Sequence, residues 1–409
     1  MRIPDDWELI QLHQIAEKVM VGIASAATHA YSDSGIRMLR NLNIKEGWID
    51  DSDMLHIDEE YERQHKNKRL KTGDILTVRT GYPGVSAVVS SKYDGAQCFT
   101  SLITRVCKKK AIPEYVCIFI NSEYGKRFII SGEAGGAQKN VNAGILEKMP
   151  VPLPPLAEQM SIVKIISTWD KAITTTEQLL ANSQQQKKAL MQQLLTGQKR
   201  LLDNNGVRFS GDWKQVKLSK IFERVTTKNN GKSSNVVTIS GQQGLIRQED
   251  FFKKSVASDI LDGYFLLMKG QFAYNKSYSN GYPMGAIKRL NRYADGVVTT
   301  LYICFEISES TKANGDFWEH YFESGLLNKG LSQIAHEGGR AHGLLNVKPT
   351  DFFSLKVPLP SLDEQQKIAA VLFTADQEIS ALQHKLDALK QEKKALMQQL
   401  LTGKRRVLL

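Results

Sequence analysis

Three stretches of the sequence hold residue types that could do catalytic or metal chemistry. His336-Glu337 and His342 bring two histidines and a glutamate together, but their spacing differs from the H-E-x-x-H arrangement that binds zinc on a helix. Gly231-Lys232-Ser233 resembles the end of a phosphate-binding loop, but the glycine required at its start is Thr226 here. The acidic run at 50–62 lacks the glycine and spacing of a calcium loop, so we expect a solvated face there. The sequence therefore predicts no catalytic residue and no metal site.

A self-contained methyltransferase is also not indicated. Amino-methyltransferases resemble one another in an Asn or Asp followed by Pro-Pro-Tyr or Pro-Pro-Phe. The adjacent prolines of this chain, Pro154-Pro155, instead precede a predicted helix. No glycine-rich loop follows a predicted strand, so nothing in the sequence would cradle a nucleotide cofactor. We predict no cofactor in this chain and no enzyme activity by itself.

Residues suited to contact with nucleic acid lie on glycine-rich loops. Lysine and arginine outnumber aspartate and glutamate by 54 to 43, and the net charge of +11 favours a polyanionic partner. Base edges are read by long donor side chains, and phosphates are bound by positive charge or amides. The predicted DNA-binding residues are Arg79, Tyr82, Gln138, Lys139 and Asn140 in the first half, and Lys276, Tyr278, Asn280, Arg340 and His342 in the second. The alternative for each of them is a solvated loop side chain.

Other basic residues, at 66–71 and 108–110, are expected to attract phosphates diffusely rather than to read bases.

The cysteines and the hydropathy pattern indicate the compartment. Cys98, Cys107, Cys117 and Cys304 stand far apart without a C-x-x-C pair, which predicts neither a zinc site nor a disulfide framework. They are expected to be reduced core thiols. No uncharged apolar run of about 18 residues occurs, and the N-terminus has no signal-like apolar run. We therefore expect a soluble cytoplasmic protein without a membrane partner.

A duplication organises the elements that must position these loops. The eleven residues 187–197 recur without change at 393–403, an offset of 206. The same offset maps residues 151–159 onto 357–365, and Trp7 onto Trp213. Between these shared ends the middles of the halves, 25–135 and 230–340, align only loosely, although both contain a Gly-Tyr-Pro turn. Shared ends with divergent middles suggest one scaffold that carries two specificities, and the two tryptophans are expected to be core anchors.

Each repeated end is predicted to be a long helix with an apolar seam. Proline cannot continue a helix backwards and glycine favours its C-terminal cap, so helices are expected from about Leu156 to Thr196 and after Pro360 to Gly403. Ser361 and Glu364 have the spacing of a capping box. The helix-pairing residues predicted from the heptad pattern are Ile162, Ile166, Trp169, Ile173, Leu180, Leu190 and Leu194 in the first copy, and Ile368, Leu372, Ile379, Leu382, Leu386, Leu389, Leu396 and Leu400 in the second.

The seam admits two arrangements. One helix cannot bury the stripe alone, so the two helices are expected to pack on each other, antiparallel if an approximate two-fold axis relates the halves. Alternatively, each helix packs on its own globular half. Lys393 interrupts the otherwise apolar series of the second copy.

The sequence resembles the specificity subunits of type I restriction-modification systems over essentially its full length. The likeness is carried by the two Val-Pro-Leu-Pro-x-Leu-x-Glu-Gln stretches, at 151–159 and 357–365, by the two Leu-Leu-Thr-Gly helix ends followed by Lys and Arg, and by Trp7 and Trp213. The resemblance implies an α/β protein with two target-recognition domains in tandem repeat, joined by two long antiparallel coiled-coil helices. The expected domains are residues 1–150 and 201–356 for recognition, and 151–200 and 357–409 for the conserved helices.

The same resemblance implies a set of partners. Each recognition domain would read half of a split sequence in double-stranded DNA, and the helices would set the spacing and dock two methyltransferase subunits. Restriction and translocase subunits would complete the complex, and the partner subunits would use S-adenosylmethionine, ATP and Mg²⁺. Two other functions remain open from the residues alone: a scaffolding coiled-coil protein without sequence preference, and a fused enzyme with a degenerate catalytic core.

Overall fold

The chain folds into two units built from equivalent segments, which follow one another in a different order along the chain in each unit. The computed structural model describes residues 3–25, 27–132, 140–252, 261–337 and 345–407. Unit 1 comprises residues 1–177 and 384–409, and unit 2 comprises residues 178–383. Because the repeat offset is 206, residue 384 is the equivalent of residue 178. Unit 1 is therefore a circular permutation of unit 2, assembled from both ends of the chain.

Among its described residues, unit 1 holds two four-stranded sheets and two strand pairs. In chain order the strands are β1 (Glu8–Gln11), β2 (Ala16–Val21), β3 (Tyr31–Ser32), β4 (Ile36–Leu39), β5 (Ile44–Lys45), β6 (Trp48–Ile49), β7 (Leu55–Ile57), β8 (Ile75–Thr77), β9 (Ser86–Val88), β10 (Gln97–Cys98), β11 (Leu102–Val106) and β12 (Pro150–Leu153). The sheet of order β2-β11-β8-β9 is antiparallel throughout. The second sheet has the order β10-β4-β7-β3, and in it β10 and β4 are parallel. β1 pairs with β12, and β5 pairs with β6.

The described part of unit 2 repeats the first of these sheets. Its strands are β13 (Lys214–Lys217), β14 (Phe222–Val225), β15 (Val237–Ser240), β16 (Gly244–Arg247), β17 (Phe265–Met268), β18 (Phe272–Asn275), β19 (Ala286–Arg289), β20 (Asp295–Val298), β21 (Ile303–Ile307), β22 (His336–Glu337), β23 (Leu345–Asn346) and β24 (Lys356–Leu359). The antiparallel sheet β14-β21-β18-β19 has the strand order of β2-β11-β8-β9. β13 pairs with β24 as β1 pairs with β12.

Two long helices accompany several short ones. The helices are α1 (Leu12–Ile15), α2 (Glu59–Gln64), α3 (Pro113–Asn121), α4 (Glu123–Gly132), α5 (Ala143–Glu147), α6 (Leu156–Leu194), α7 (Gln248–Phe252), α8 (Gly315–Glu323), α9 (Asn328–Ile334), α10 (Pro349–Ser354) and α11 (Leu362–Leu400). The two 39-residue helices α6 and α11 are each about 58 Å long at 1.5 Å per residue. Each is followed three residues after its end by a glycine with positive φ, Gly197 at +74° and Gly403 at +66°, a backbone conformation that favours glycine. No helix in the described ranges is long and apolar enough to cross a membrane.

Each unit buries one helix start and one helix end in its main core. In unit 1, Ile162 and Ile166 of α6 pack with Leu400 of α11 against the residues of α3 and the sheet. In unit 2, Ile368 and Leu372 of α11 and Leu194 of α6 occupy the equivalent places. The helices therefore pack on the globular part of each unit, as one of the two arrangements expected from the sequence requires. Burial of these aliphatic side chains stabilises the attachment by about 1.5–3 kcal/mol each.

The helices of each unit also contact one another, and they run antiparallel. In unit 1, Lys393 Nζ lies 2.5 Å from Asp170, and Lys390 Nζ lies 2.7 Å from Glu177, which is farther along α6. In unit 2, Lys187 pairs with Asp376, and Ser183 donates to Glu378 at 3.1 Å. The prediction of antiparallel helix pairing is thus confirmed within each unit. Lys393, which interrupts the predicted seam, forms an ion pair with the facing helix.

The predicted seam residues fall into two burial groups. Those that are buried are Ile162, Ile166, Leu180, Leu194, Ile368, Leu372, Leu386 and Leu400. Those that are half-buried are Trp169, Ile173, Leu190, Ile379, Leu382, Leu389 and Leu396. The buried group includes both ends of the seam, where the helices meet the globular cores.

A Trp-Glu-Arg cluster fastens the shared ends of the repeat in unit 1. Trp7 Nε1 donates to Glu158 at 3.1 Å, and Arg406 donates to both oxygens of the same carboxylate at 2.8 and 2.9 Å. The Arg406 guanidinium also lies 5.7 Å from the centre of the Trp7 ring. Burial opposes the charged form of Glu158, but the bonds from Arg406 and Trp7 outweigh it and hold the pKa of this carboxyl below its ordinary value.

Unit 2 repeats this cluster with Trp213, Glu364 and Arg200. Trp213 Nε1 donates to Glu364 at 2.9 Å, and Arg200 donates to both carboxylate oxygens at 2.6 and 2.8 Å. The predicted capping box is therefore only half correct. Ser361 accepts a bond from the Glu364 amide at 3.4 Å, but the Glu364 side chain bonds to Arg200 and Trp213 instead of the cap backbone. Trp7 is buried in the core of unit 1, whereas Trp213 is half-buried and packs against the core of unit 2.

Candidate nucleic-acid interface

The described DNA-binding candidates lie around equivalent hairpin loops in the two units. In unit 1 the loop 78–85 joins β8 to β9, and in unit 2 the loop 276–285 joins β18 to β19. Both Gly-Tyr-Pro turns recognised in the sequence fall in these loops. The shared sheet therefore carries a hairpin loop at the same place in both units, with a different length and different side chains in each.

In unit 1 the structure brings Arg79 and Asn140 together. The Arg79 backbone oxygen accepts a bond from the Val141 amide at 3.0 Å, and Arg79 Nε donates to the Val141 oxygen at 3.3 Å. Thr80 and Asn140 form an isolated antiparallel bridge. Arg79 is half-buried, whereas Asn140 is exposed. Gln138 and Lys139, also predicted to bind DNA, lie outside the described residues.

Tyr82 stands at the tip of the unit 1 loop and is 82% exposed. The turn depends on Gly81 and Gly84, whose φ angles of +84° and +91° favour glycine. A Cβ on Gly84 would also lie 2.8 Å from Ile129 Cδ1. The loop thus approaches α4 closely and directs a tyrosine ring into solvent, where it could stack on a base or enter a groove.

In unit 2 the loop tip is a tight turn between Ser279 and Tyr282. The Tyr282 amide donates to the Ser279 oxygen at 2.8 Å, and the Ser279 amide donates back to the Tyr282 oxygen at 3.3 Å. Tyr278 is 62% exposed and Asn280 is exposed, so both predicted residues are accessible. Arg340 and His342 lie outside the described residues.

Lys276 has a different environment from the other candidates in this loop. Its backbone oxygen accepts a bond from the Leu345 amide at 3.0 Å, and the residue is half-buried. Burial lowers the pKa of Lys276, and the nearby positive charge of Arg224 lowers it further. Both effects disfavour the charged form of Lys276, and a nearby anion would offset them.

Some carboxylates of the acidic run at 50–62 form hydrogen bonds within unit 1 instead of facing solvent. Glu62 is 1% exposed and accepts two bonds from Arg69, each of 2.5 Å. Asp58 caps α2 by accepting from the Tyr61 amide at 2.7 Å. The expectation of a wholly solvated face was wrong here because the carboxylates find donors inside unit 1. Arg69, one of the basic residues expected to attract phosphate diffusely, is already paired.

Two further expectations concern metals and thiols. Among the described residues, no group of three or more His, Cys, Asp and Glu side chains could hold a metal ion. Cys98, Cys117 and Cys304 are buried, and burial raises the pKa of each thiol to about 12, so they remain protonated at neutral pH. Cys107 is half-buried rather than in the core.

Sequence reasoning missed the residues that hold these loops in place. Asn121, the last residue of α3, donates to the Ser86 oxygen at 2.8 Å and accepts from the Ser86 amide at 2.9 Å. Glu323, the last residue of α8, bonds to Tyr282 and Lys288 of the second hairpin. The loosely aligned middles of the repeat gave no signal for this equivalence, because the offset there is not 206.

Comparisons with known proteins agree with these observations. The sequence model of the family described as type I restriction modification DNA specificity domain matches residues 4–183 and 204–391. A putative type I restriction enzyme MjaX specificity subunit from Methanocaldococcus jannaschii is 24% identical over 427 residues, covering 99% of this chain and 95% of that protein. The crystal structure of the HsdS subunit from Thermoanaerobacter tengcongensis has a TM-score of 0.54 at 17% identity, with 99% of each chain covered. The type I restriction-modification S subunit from M. genitalium has a TM-score of 0.56 at 14% identity, with 98% of each chain covered.

Proposed function

Because this chain belongs to the type I restriction modification DNA specificity family, whose role is to recognise DNA sequence without catalysis, we propose that each unit reads one half of a bipartite target. The observation that carries the proposal is the repetition of one antiparallel sheet with two unlike loops between its third and fourth strands. A common framework with different exposed side chains suits two different half-sites. Recognition would combine phosphate contacts that position each unit with base contacts that specify sequence.

The residues proposed to contact DNA are those of the two loops and of the segments beside them. Tyr82 and Asn140 serve unit 1, with Arg79 at the base of the loop, and Tyr278 and Asn280 serve unit 2. Lys276 is proposed to bind phosphate. The remaining candidates, Gln138, Lys139, Arg340 and His342, stay predictions from the sequence.

The proposed partners are double-stranded DNA and two methyltransferase subunits. A duplicated unit offers two equivalent docking surfaces, so two copies of one subunit would bind. Restriction and translocase subunits would join the full complex. The methyltransferase subunits would use S-adenosylmethionine, and the translocase would use ATP and Mg²⁺. The purified chain alone should therefore show neither methyl transfer nor ATP hydrolysis, and either activity would favour the fused-enzyme alternative.

The deciding experiment exchanges one recognition module. Residues 25–135 are replaced by the corresponding middle of a relative, and methylated adenines are mapped in a genome that expresses the hybrid with its methyltransferase. We expect one half-site to change and the other to persist, because each module reads its own half-site separately. The matched hybrid at 230–340 should alter the other half-site. Simultaneous change of both half-sites in either hybrid would contradict separate reading, and loss of all sequence preference would favour the scaffold alternative.

A further inference from the structure

The recognition loop of unit 2 is tied to the rest of its unit by a polar cluster around the Tyr282 hydroxyl. Lys288 Nζ donates to this hydroxyl at 2.9 Å, and the hydroxyl lies 2.8 Å from the Gly241 oxygen. Glu323 bonds to both Tyr282 and Lys288. One tyrosine at the loop tip therefore joins the β18–β19 hairpin to the β15–β16 hairpin and to the end of α8.

Packing contacts with Lys288 and Gly241 also constrain the position of the Tyr282 ring. Lys288 Nζ also lies 4.7 Å from the centre of the Tyr282 ring, within the range of a cation–π interaction. A Cβ on Gly241 would lie 2.7 Å from Tyr282 Cε2, so a side chain at Gly241 would displace the ring. The side chain of Lys288 is only 12% exposed, and Glu323 is its counter-ion. The cluster borders a cleft of about 910 Å³ within unit 2.

The equivalent loop of unit 1, residues 78–85, is held by different contacts. The loop is held at the base, where Asn121 bonds to both backbone groups of Ser86. Its tip residue Tyr82 is 82% exposed. The unit 1 loop is thus held along its sides by neutral groups, including a bond from Asn41 to Thr80 at 3.1 Å, and its tip tyrosine is exposed. The unit 2 loop is held at the tip by a charged pair.

We propose that Glu323 and Lys288 are positioning residues for sequence discrimination by unit 2, acting through the Tyr282 hydroxyl on the loop that carries Lys276, Tyr278 and Asn280. The proposal rests on the proposed function of that loop. A loop fixed at its tip presents its side chains in one arrangement, so a mismatched base finds no alternative contact. Loss of the tip bonds lets the loop adapt, and discrimination at the second half-site falls while the first half-site is unaffected.

The test uses the full chain assembled with its methyltransferase subunits. Methylation rates are measured on DNA duplexes with the cognate site, with one mismatch in the first half-site, or with one mismatch in the second. The variants are Tyr282→Phe, which removes only the hydroxyl, Glu323→Gln, and Gly241→Ala, which displaces the ring while Glu323 and Lys288 remain. Tyr293→Phe is the matched control, because it removes the hydroxyl of another tyrosine of unit 2 that lies outside the loop.

We expect each of the three variants to lower discrimination against second-half-site mismatches about tenfold, with first-half-site discrimination near that of the parent. The melting temperature should stay near that of the parent in Tyr282→Phe, which keeps the Lys288–Glu323 ion pair. Tyr282→Phe combined with Glu323→Gln should lower discrimination no further than either alone, because Glu323 is proposed to act on the loop through the Tyr282 hydroxyl. Tyr293→Phe should leave both ratios unchanged. An equal loss at both half-sites, or additive effects in the double variant, would overturn the proposal.

A second comparison separates this proposal from the function on which it rests. Tyr278→Ala should weaken binding to the second half-site whatever holds the loop. If Tyr278→Ala has this effect but the three anchoring variants keep full discrimination, the positioning role is refuted and the loop still binds DNA. If Tyr278→Ala and Lys276→Ala both leave binding unchanged, the assignment of this loop to DNA recognition is itself wrong.

Discussion

At the scale of single residues, the repeated Trp-Glu-Arg clusters show how a few identical positions can fasten two divergent modules. Glu158 and Glu364 are 2% and 1% exposed, and each accepts a tryptophan N–H and a bidentate arginine. A buried carboxylate is strongly disfavoured without such donors. The arginine after each long helix therefore contributes to holding that helix end on its unit, together with the buried leucines of the helix end.

Removal of one arginine should open one unit locally. Arg200→Gln leaves Glu364 buried without its main partner, so we expect the free energy of local opening in unit 2 to fall by about 3 kcal/mol. Arg406→Gln should cost unit 1 less, because Arg406 is 43% exposed while Arg200 is 20% exposed. Hydrogen exchange of peptides from the two units measures both values. Equal loss of protection in both units of either variant would contradict this assignment.

The same cluster predicts an acid dependence in unit 1. The folded pKa of Glu158 lies below the ordinary value of 4.5, so ionised Glu158 favours the folded state. This contribution is fully present above pH 4.5 and is lost as the pH falls through the folded pKa. Exchange protection at the attached helix end should decline over this range in the parent. The decline should be smaller in Arg406→Gln.

Lys276 allows a test of the DNA contact proposed for the second loop. Lys276→Ala should weaken binding to the second half-site, because a half-buried cation is lost. A phosphate contact would lower the salt slope of binding by about 0.9 and spare specificity. A base-edge contact would instead cost about 1–3 kcal/mol of discrimination. Binding titrations at several salt concentrations with cognate and mismatched duplexes distinguish the two, and unchanged binding would remove Lys276 from the interface.

At the scale of secondary-structure elements, the helix pair explains the lysines that interrupt its seam. Lys393 bonds to Asp170 in unit 1, and its repeat equivalent Lys187 bonds to Asp376 in unit 2. Each lysine head thus meets a carboxylate of the facing helix at a seam position where an apolar residue is expected. A polar residue at one seam position can define the register of paired helices.

Reversal of one seam charge should therefore be repaired by reversal of its partner. Lys393→Asp places two carboxylates together, and we expect a loss of about 1 kcal/mol, or roughly 2–4 °C in melting temperature. The double variant Lys393→Asp with Asp170→Lys should recover most of that loss. The corresponding exchange of Lys187 and Asp376 is the matched pair in unit 2. A double variant no more stable than the single one would show that the contact does not couple these positions.

At the scale of the whole molecule, the circular permutation of the units makes the chain ends part of the fold. Residues 384–409 complete unit 1 just as residues 178–203 complete unit 2. Helix α6 contributes its first part to unit 1 and the rest to unit 2, and α11 does the reverse. Each long helix thus contributes residues to both units. We propose that the helices set the separation of the half-sites, as the family resemblance implies.

Lengthening both helices tests whether they set the separation of the half-sites. One extra heptad in each, near Ser183 and Leu389, preserves the seam and adds roughly 10 Å at 1.5 Å per residue. This length equals about three base pairs at 3.4 Å each. We expect methylation mapping to show a longer spacer with unchanged half-sites. Reduced methylation activity is also compatible with the proposal, because three base pairs rotate the DNA by roughly 100°. Altered half-sites with the original spacer would refute the proposal.

The duplication and the paired long helices could be predicted from the sequence because their signals are local or periodic. The offset of 206 residues, the proline and glycine boundaries of α6 and α11, and the heptad seam predicted the duplication and the paired helices. These features depend on backbone chemistry and on the helical period, and both are visible without knowledge of tertiary contacts. The predicted boundaries of the recognition domains stay a prediction.

The roles of the repeated ends and of the divergent middles depend on contacts between residues that are far apart in the sequence. Glu364 has the spacing of a capping residue, yet its side chain pairs with Arg200, 164 residues away. Tyr82 and Tyr282 occupy matching Gly-Tyr-Pro turns, but one is exposed and the other is bonded to Glu323. Such differences arise from partners distant in sequence, and local patterns cannot report them. The physical reason is that a charged or hydroxyl group takes its role from the donors and acceptors that folding brings to it.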